Sequence, residues 1–443
     1  MILLGIVALS FAWRATWVIV ETRHQQIGSL DNTSSVRRSL DETYYAGLAR
    51  RVADGDGFKS PPVHGDPDEE NADHPPLTAL LLVPAALWAD GRLAAMRFTI
   101  VVVGLATVVL VGLLGRLIAG DRVGLVAAAL AGAAPALWAN DTLVMSEAVS
   151  SATTAGVLLA SYHLWRHPGW VAAAVAGVAA GLAMLSRSEV ALLLPFVVVP
   201  LAVSAGRRSG VGGARLAAAA CAAAVVMVAP WVAYNLGRFE RPVLLSLGDG
   251  GVLMGANCDR TYSGPFIGGW DGLCAELEPR GEPSEDAEEK RDRAFEYVGD
   301  HLDEVPAVVA ARVGRLWGVL HPVGMARADQ AEGKPEWTTL AIIVSGWALL
   351  VLTVPAVPWL RRHEIPVFPL VAPVVVVTVV AAVFYGQLRF RAPAEPALVV
   401  LAAASLGAAL PAWWARRQAR TRSVHPVDAP AGRPPVRVGE STA

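Results

Sequence analysis

Four groups of polar residues stand out in an otherwise apolar chain, because their types and spacing could do chemistry. The first is Ser39-Leu40-Asp41-Glu42. Serine with glutamate three positions later is a capping box. A helix then runs to about Ala53, with Leu40, Tyr44, Leu48 and Val52 on one stripe. Such a helix is expected to lie on the outer membrane surface, apolar face down. Asp41 falls in its first turn, at the positive end of the helix dipole, where a carboxylate stays ionised. An ionised carboxylate at a membrane surface is what a general base for an incoming hydroxyl or amine requires. Stabilising the helix start is the other role open to Asp41 and Glu42.

The second group is His74-Pro75-Pro76-Leu77. Two prolines fix the chain where it meets the membrane face, and Leu77 to Trp88 is too short to span. His74 could bind a phosphate or a metal, or be structural. The third group runs from Asn140 to Glu147. Acids at the ends of apolar helices are costly unless they face a cavity, so Asp141 and Glu147 could bind a sugar, an acceptor or a cation, or form a polar turn. The fourth is a set of arginines, Arg187, Arg389 and Arg391, in short connections that the topology below places outside. Arginine set against the charge pattern suggests an anion, because the guanidinium fork grips phosphate in bidentate fashion. Anchoring to lipid head groups is the alternative.

The elements that must position these groups are membrane helices. Of 443 residues 54% are hydrophobic and 17% are charged, against about 25% charged in a soluble protein. Apolar runs long enough to cross a hydrocarbon core of roughly 30 Å recur along the chain. Ten spans fit: about 1–20, 97–118, 122–139, 147–165, 170–186, 189–205, 215–235, 337–359, 365–384 and 393–413. The chain therefore divides into an N-terminal transmembrane module, 1–235, which includes an outward loop at 21–96. An extracytoplasmic insertion at 236–336 follows, then C-terminal helices at 337–413 and a disordered cytoplasmic tail at 414–443.

Orientation follows from the short loops. With the N-terminus inside, the inner loops hold Arg116, Arg122, Arg166, Arg207, Arg208, Arg215, Arg361 and Arg362. Both large polar segments then face out. Cys258 and Cys274, 16 positions apart in the second segment, are expected to form a disulfide in that oxidising space. The net charge of −2 suggests no nucleic-acid partner. Only three of the 37 basic residues are lysine, and Ala, Val and Gly abound, which points to a G+C-rich bacterial genome and so to a bacterial plasma membrane. No cofactor is called for. A divalent cation on Asp41, Glu42, His74, Asp141 or Glu147 stays open, since no ligand spacing among them is diagnostic.

These motifs, in this order, resemble the GT-C glycosyltransferases, and especially the branch containing protein O-mannosyltransferases and the aminoarabinose transferase of lipid A. The likeness rests on Asp41-Glu42-Thr43-Tyr44-Tyr45, Pro75-Pro76-Leu77, Ser146-Glu147, Gly181 to Arg187, and Arg389-Phe390-Arg391-Ala392-Pro393-Ala394-Glu395-Pro396. The aminoarabinose enzyme has lysine before Pro-Pro-Leu where this chain has His74. The resemblance implies an all-α membrane fold of about ten spans and transfer of a sugar from a polyprenyl-phosphate donor, held within membrane lipid, to an acceptor outside. It implies Asp41 as the base of an inverting displacement, with Arg187, Arg389 and Arg391 on the donor phosphate. Tyr44, Tyr45, His74, Asp141 and Glu147 would contact substrates. A transporter or flippase of a lipid-linked or anionic substrate is the competing class; it would need charged or broken helices within the membrane.

Overall fold

The computed structural model describes residues 1–30, 40–61, 66–89, 92–275, 281–413 and 415. Ser39 of the capping box and the tail from residue 416 lie outside these. The chain is helical throughout, and the described residues form no strand beyond an isolated bridge, Lys59 to Glu70. The N-terminal part comprises α1 (Ile2–Leu30), α2 (Leu40–Asp54), α3 (Leu77–Trp88), α4 (Leu93–Ala119), α5 (Asp121–Ala133), α6 (Pro135–Trp138), α7 (Ser146–Arg166), α8 (Trp170–Ser186), α9 (Val199–Ser209) and α10 (Gly213–Leu236). The second polar segment folds as α11 (Asp249–Ala256), α12 (Asp259–Tyr262), α13 (Gly272–Ala275), α14 (Pro283–Asp300), α15 (Val305–Leu316) and α16 (Pro322–Asp329). The C-terminal part holds α17 (Glu336–Thr353), α18 (Ala356–Arg362), α19 (Phe368–Val383) and α20 (Glu395–Ala404).

Every expected span is a helix, but the count by length and apolarity is lower than ten. Among the described residues six helical stretches qualify: Ile2–Arg23, Leu93–Ala119, Ser188–Ser209, Gly213–Leu236, Glu336–Arg362 and Leu388–Trp413. The stretch read as one span at 122–139 is broken. Asp121–Ala133 and Pro135–Thr142 meet at 63°, because Pro135 cannot donate the hydrogen bond that would continue the first helix and instead starts the next. Helices α8 and α19 are apolar but shorter. Helix α7 is long enough, yet it buries Ser146, Ser150, Ser151, Thr154 and Ser161 inside the bundle, which lowers its apolarity without exposing polar groups to lipid.

Small residues let the helices close up, as membrane interfaces require. Gly177 and Gly181, four apart on α8, face α10. A methyl at Gly177 would meet the Ala220 carbonyl, and one at Gly181 would stand 2.6 Å from Met227. Gly124 of α5 faces Gly112 of α4 in the same way.

Helix α2 corrects an expectation. Its stripe does not lie apolar face down on lipid. Tyr44, Tyr45, Leu48 and Ala49 are buried in a cluster with Ala79 and Leu82 of α3, Met96 and Ile100 of α4, and Val144. The disulfide forms as expected, between Cys258 and Cys274.

Candidate active site

A cavity of about 1030 Å³ lies where the two large polar segments meet the helix ends. The start of α2 supplies Asp41 and Tyr45, and the turn before α3 supplies His74. The break between α8 and the next span supplies Ser186, Arg187 and Glu189. The second polar segment contributes Ser246 to Asp249, Trp270, Lys290, Asp329 and Glu332, and the entry to α20 contributes Tyr385, Gln387, Arg389 and Phe390. Residues from all three parts of the chain thus face one space.

Asp41 Oδ2 accepts a hydrogen bond from Arg389 Nη1 in a partly buried ion pair. Burial pushes the Asp41 carboxyl up, but the charge of Arg389, aided by His74 and Arg187, outweighs it and the pKa falls to about 2. Asp41 is therefore ionised at neutral pH. Arg389 Nη1 also lies 3.6 Å from Glu147 Oε1, and its Nε donates to Gln387 Oε1 at 2.9 Å. Arg187 Nε donates to Glu189 Oε1 at 2.5 Å, and its Nη1 reaches Ser146 Oγ at 3.3 Å and Glu147 Oε1 at 3.4 Å. The Tyr385 side chain also hydrogen-bonds Arg389. The Phe390 ring lies 5.1 Å from the guanidinium of Arg187 and 5.7 Å from that of Arg389. Cation–π contact holds both charges beside one ring.

His74 stacks on Tyr45 with ring centroids 5.3 Å apart and meets Tyr44 edge-on. Burial, with the Asp41 charge, pushes the Tyr45 phenol up, so it remains a neutral hydroxyl. Tyr44 lies behind this layer, and its hydroxyl donates to Asn71 Oδ1 at 2.6 Å.

Five expected site residues are not among those lining the cavity: Tyr44 and Glu147, which stand just behind it, and Glu42, Asp141 and Arg391. Glu42 is buried in a fork with Arg97, at 3.1 Å from Nε and 3.0 Å from Nη2, and also accepts from the Val144 amide. Asp141, brought inward by the bend before Pro135, accepts from Arg14 Nη1 at 3.1 Å on Oδ1 and 2.8 Å on Oδ2, and the same nitrogen reaches the Leu137 carbonyl at 3.0 Å, with neither side chain of the pair exposed. Arg391 is buried against Glu395 at 2.5 Å and the Ile342 carbonyl at 3.0 Å. Glu147 is buried at the cavity edge through its two arginines. The five residues weighed as cation ligands do not converge, and among the described residues no group of three His, Cys, Asp or Glu is placed to hold a metal.

Gln387 and Glu332 were not singled out from the sequence, and Phe390 entered only as the aromatic of the Arg389-Phe390-Arg391 element. Gln387 lies two positions before Arg389 and Phe390 beside it, so the arginine pair pointed at their neighbourhood. No spacing marks Glu332.

Residues 73–234 match the family model described as dolichyl-phosphate-mannose-protein mannosyltransferase. The match takes in His74, Glu147 and Arg187, with Asp41 and Arg389 outside it. Among solved structures, the apo oligosaccharyltransferase of Archaeoglobus fulgidus superposes over 95% of this chain and 52% of its own, with a TM-score of 0.50 and 13% identity. The fold is similar to that of this GT-C membrane enzyme. The chain spans about half the length of that GT-C relative. Two further GT-C structures are similar. AglB from the same organism, in complex with an inhibitory peptide and a dolichol-phosphate, has a TM-score of 0.46 and 14% identity, over 94% of this chain and 52% of that one. ArnT from Cupriavidus metallidurans bound to undecaprenyl phosphate has a TM-score of 0.39 and 16% identity, over 94% and 82%. No curated protein matches the sequence.

Proposed function

We propose that the chain is a membrane glycosyltransferase that takes a sugar from a polyprenyl-phosphate carrier and passes it to an extracytoplasmic protein, lipid or glycan. Its membrane would be the bacterial plasma membrane, with the cavity facing out. The observation that carries this reading is the placement of two guanidiniums, Arg187 and Arg389, beside the Phe390 ring in a cavity that also holds the ionised Asp41. The described name of the matching family, a mannosyltransferase using a dolichyl-phosphate sugar, supports the same donor class.

The chemistry follows from the charges. A sugar phosphodiester carries one negative charge, and its leaving phosphate carries two. The guanidiniums of Arg187 and Arg389 would meet the charge that develops as the sugar–phosphate bond breaks. The acceptor oxygen or nitrogen attacks the anomeric carbon from the opposite side, inverting it, and its proton passes to Asp41. A carboxylate with a pKa of about 2 is a weak base. A donor phosphate that draws Arg389 toward itself would weaken the ion pair and make Asp41 a better one. Tyr45 and His74 would line the sugar.

The buried pairs Arg14–Asp141 and Arg391–Glu395, with the break at Pro135, are features a transporter could use. Their charges are closed on each other and stand outside the cavity, which favours a structural part in the bundle. Binding of polyprenyl phosphate to the protein in lipid nanodiscs is the test. Arg187→Gln and Arg389→Gln should each weaken it at least tenfold. Equal binding by wild type and both variants would refute the phosphate assignment.

A further inference from the structure

We infer that Glu332 and Gln387 are positioning residues that hold the Nε edge of Arg389 so that its other nitrogens serve Asp41 and the donor phosphate; this rests on the donor-phosphate reading above. Gln387 uses both halves of its amide. Its Oε1 accepts from Arg389 Nε at 2.9 Å, and its Nε2 donates to Glu332 Oε1 at 2.7 Å. Since the amide has one acceptor and one donor end, this chain of bonds fixes which way it points. Glu332 Oε1 itself lies 3.9 Å from Arg389 Nε, so the carboxylate supports the guanidinium both directly and through the amide.

Glu332 is anchored in turn. Lys334 Nζ, on a buried side chain, lies 3.5 Å from its Oε2. The turn that makes this geometry depends on Gly333, whose φ of +83° suits glycine. Burial pushes the Glu332 carboxyl up, but Arg389 and Lys334 pull it down further, so it stays charged.

The need for such a clamp is visible around Arg389. Its Nη1 touches two carboxylates, Asp41 and Glu147. A guanidinium free to turn would offer its other nitrogens to those acids instead of to an anion. Holding Nε on the far side keeps the planar fork in one orientation. Glu332 also belongs to the 236–336 segment, whose Ser246, Trp270 and Lys290 line the same cavity. That segment therefore supplies a support to the donor arginine as well as a wall.

The test uses the full chain in lipid nanodiscs and measures polyprenyl-phosphate binding, KM for donor, KM for acceptor, and Tm. Glu332→Ala and Gln387→Ala should each weaken donor binding and raise donor KM about tenfold, with acceptor KM little changed. Glu332→Gln keeps an oxygen to accept from Gln387 and should recover most of the loss. The double alanine variant should lose less than the two single losses combined, because part of the support from Glu332 runs through Gln387. Glu332→Ala with wild-type donor binding, whatever its Tm, would overturn the positioning role and leave the donor reading intact. So would Glu332→Gln failing as badly as Glu332→Ala. A wild-type protein that binds no polyprenyl phosphate would sink both.

Discussion

Asp41 and Glu42 are neighbours with opposite settings. Asp41 lines the cavity and is held ionised by Arg389, whereas Glu42 is sealed against Arg97. Their variants should part accordingly. Asp41→Asn should fold and lose transfer by about 10²–10⁴-fold, the usual share of a general base. Glu42→Ala strands a buried arginine, at a cost of about 3–5 kcal/mol, and should show as lost folded protein in a detergent-stability assay. The Asp41 pKa also makes a stability claim. Because folding lowers it from 3.8 to about 2, the ionised carboxylate stabilises the fold above pH 4, and that contribution fades as pH falls toward 2. The Tm gap between wild type and Asp41→Asn should therefore narrow over that window; a gap independent of pH would contradict the ion pair.

At the scale of elements, most of the helices were legible, since long apolar runs bounded by polar turns allow little else in lipid. What packs against what was less so. The stripe on α2 correctly marked a buried face, but an amphipathic pattern does not say whether lipid or protein covers it. Here α3 and α4 do. The bend at Pro135 was readable in principle from the proline, yet apolar composition continues through it and reads as one span. Close helix contact leaves a sharper mark, in the paired Gly177 and Gly181. Gly177→Ala should force α8 and α10 apart and cost about 1–3 kcal/mol, read as a lower Tm; an unchanged Tm would mean the helices are not that close.

At the scale of the whole molecule, arginine placement in short loops put both large segments and Arg187 and Arg389 on one side, and one cavity indeed gathers them. The disulfide was legible from the spacing together with the expected oxidising compartment. Replacing Cys258 and Cys274 by serine should cost about 3 kcal/mol for a loop of this length while sparing transfer at low temperature, since neither cysteine lines the cavity. The pairing of Asp41 with Arg389 spans 348 positions, and no local pattern carries that. Separations of 55 and 127 positions likewise hid the bond of Glu332 to Gln387 and the Arg14 partner of Asp141, whereas the partner of Arg391 stands only four positions on. Residue types signalled that anions and bases were needed; only the fold decided which of them meet.

The most direct measurement is single-turnover transfer of labelled sugar from a panel of polyprenyl-phosphate donors by the wild-type protein in nanodiscs, beside Asp41→Asn. The account predicts label in an acceptor or as released sugar with the anomeric configuration inverted, and its loss in the variant while donor binding persists. Turnover of no donor, or equal turnover by both proteins, would contradict it.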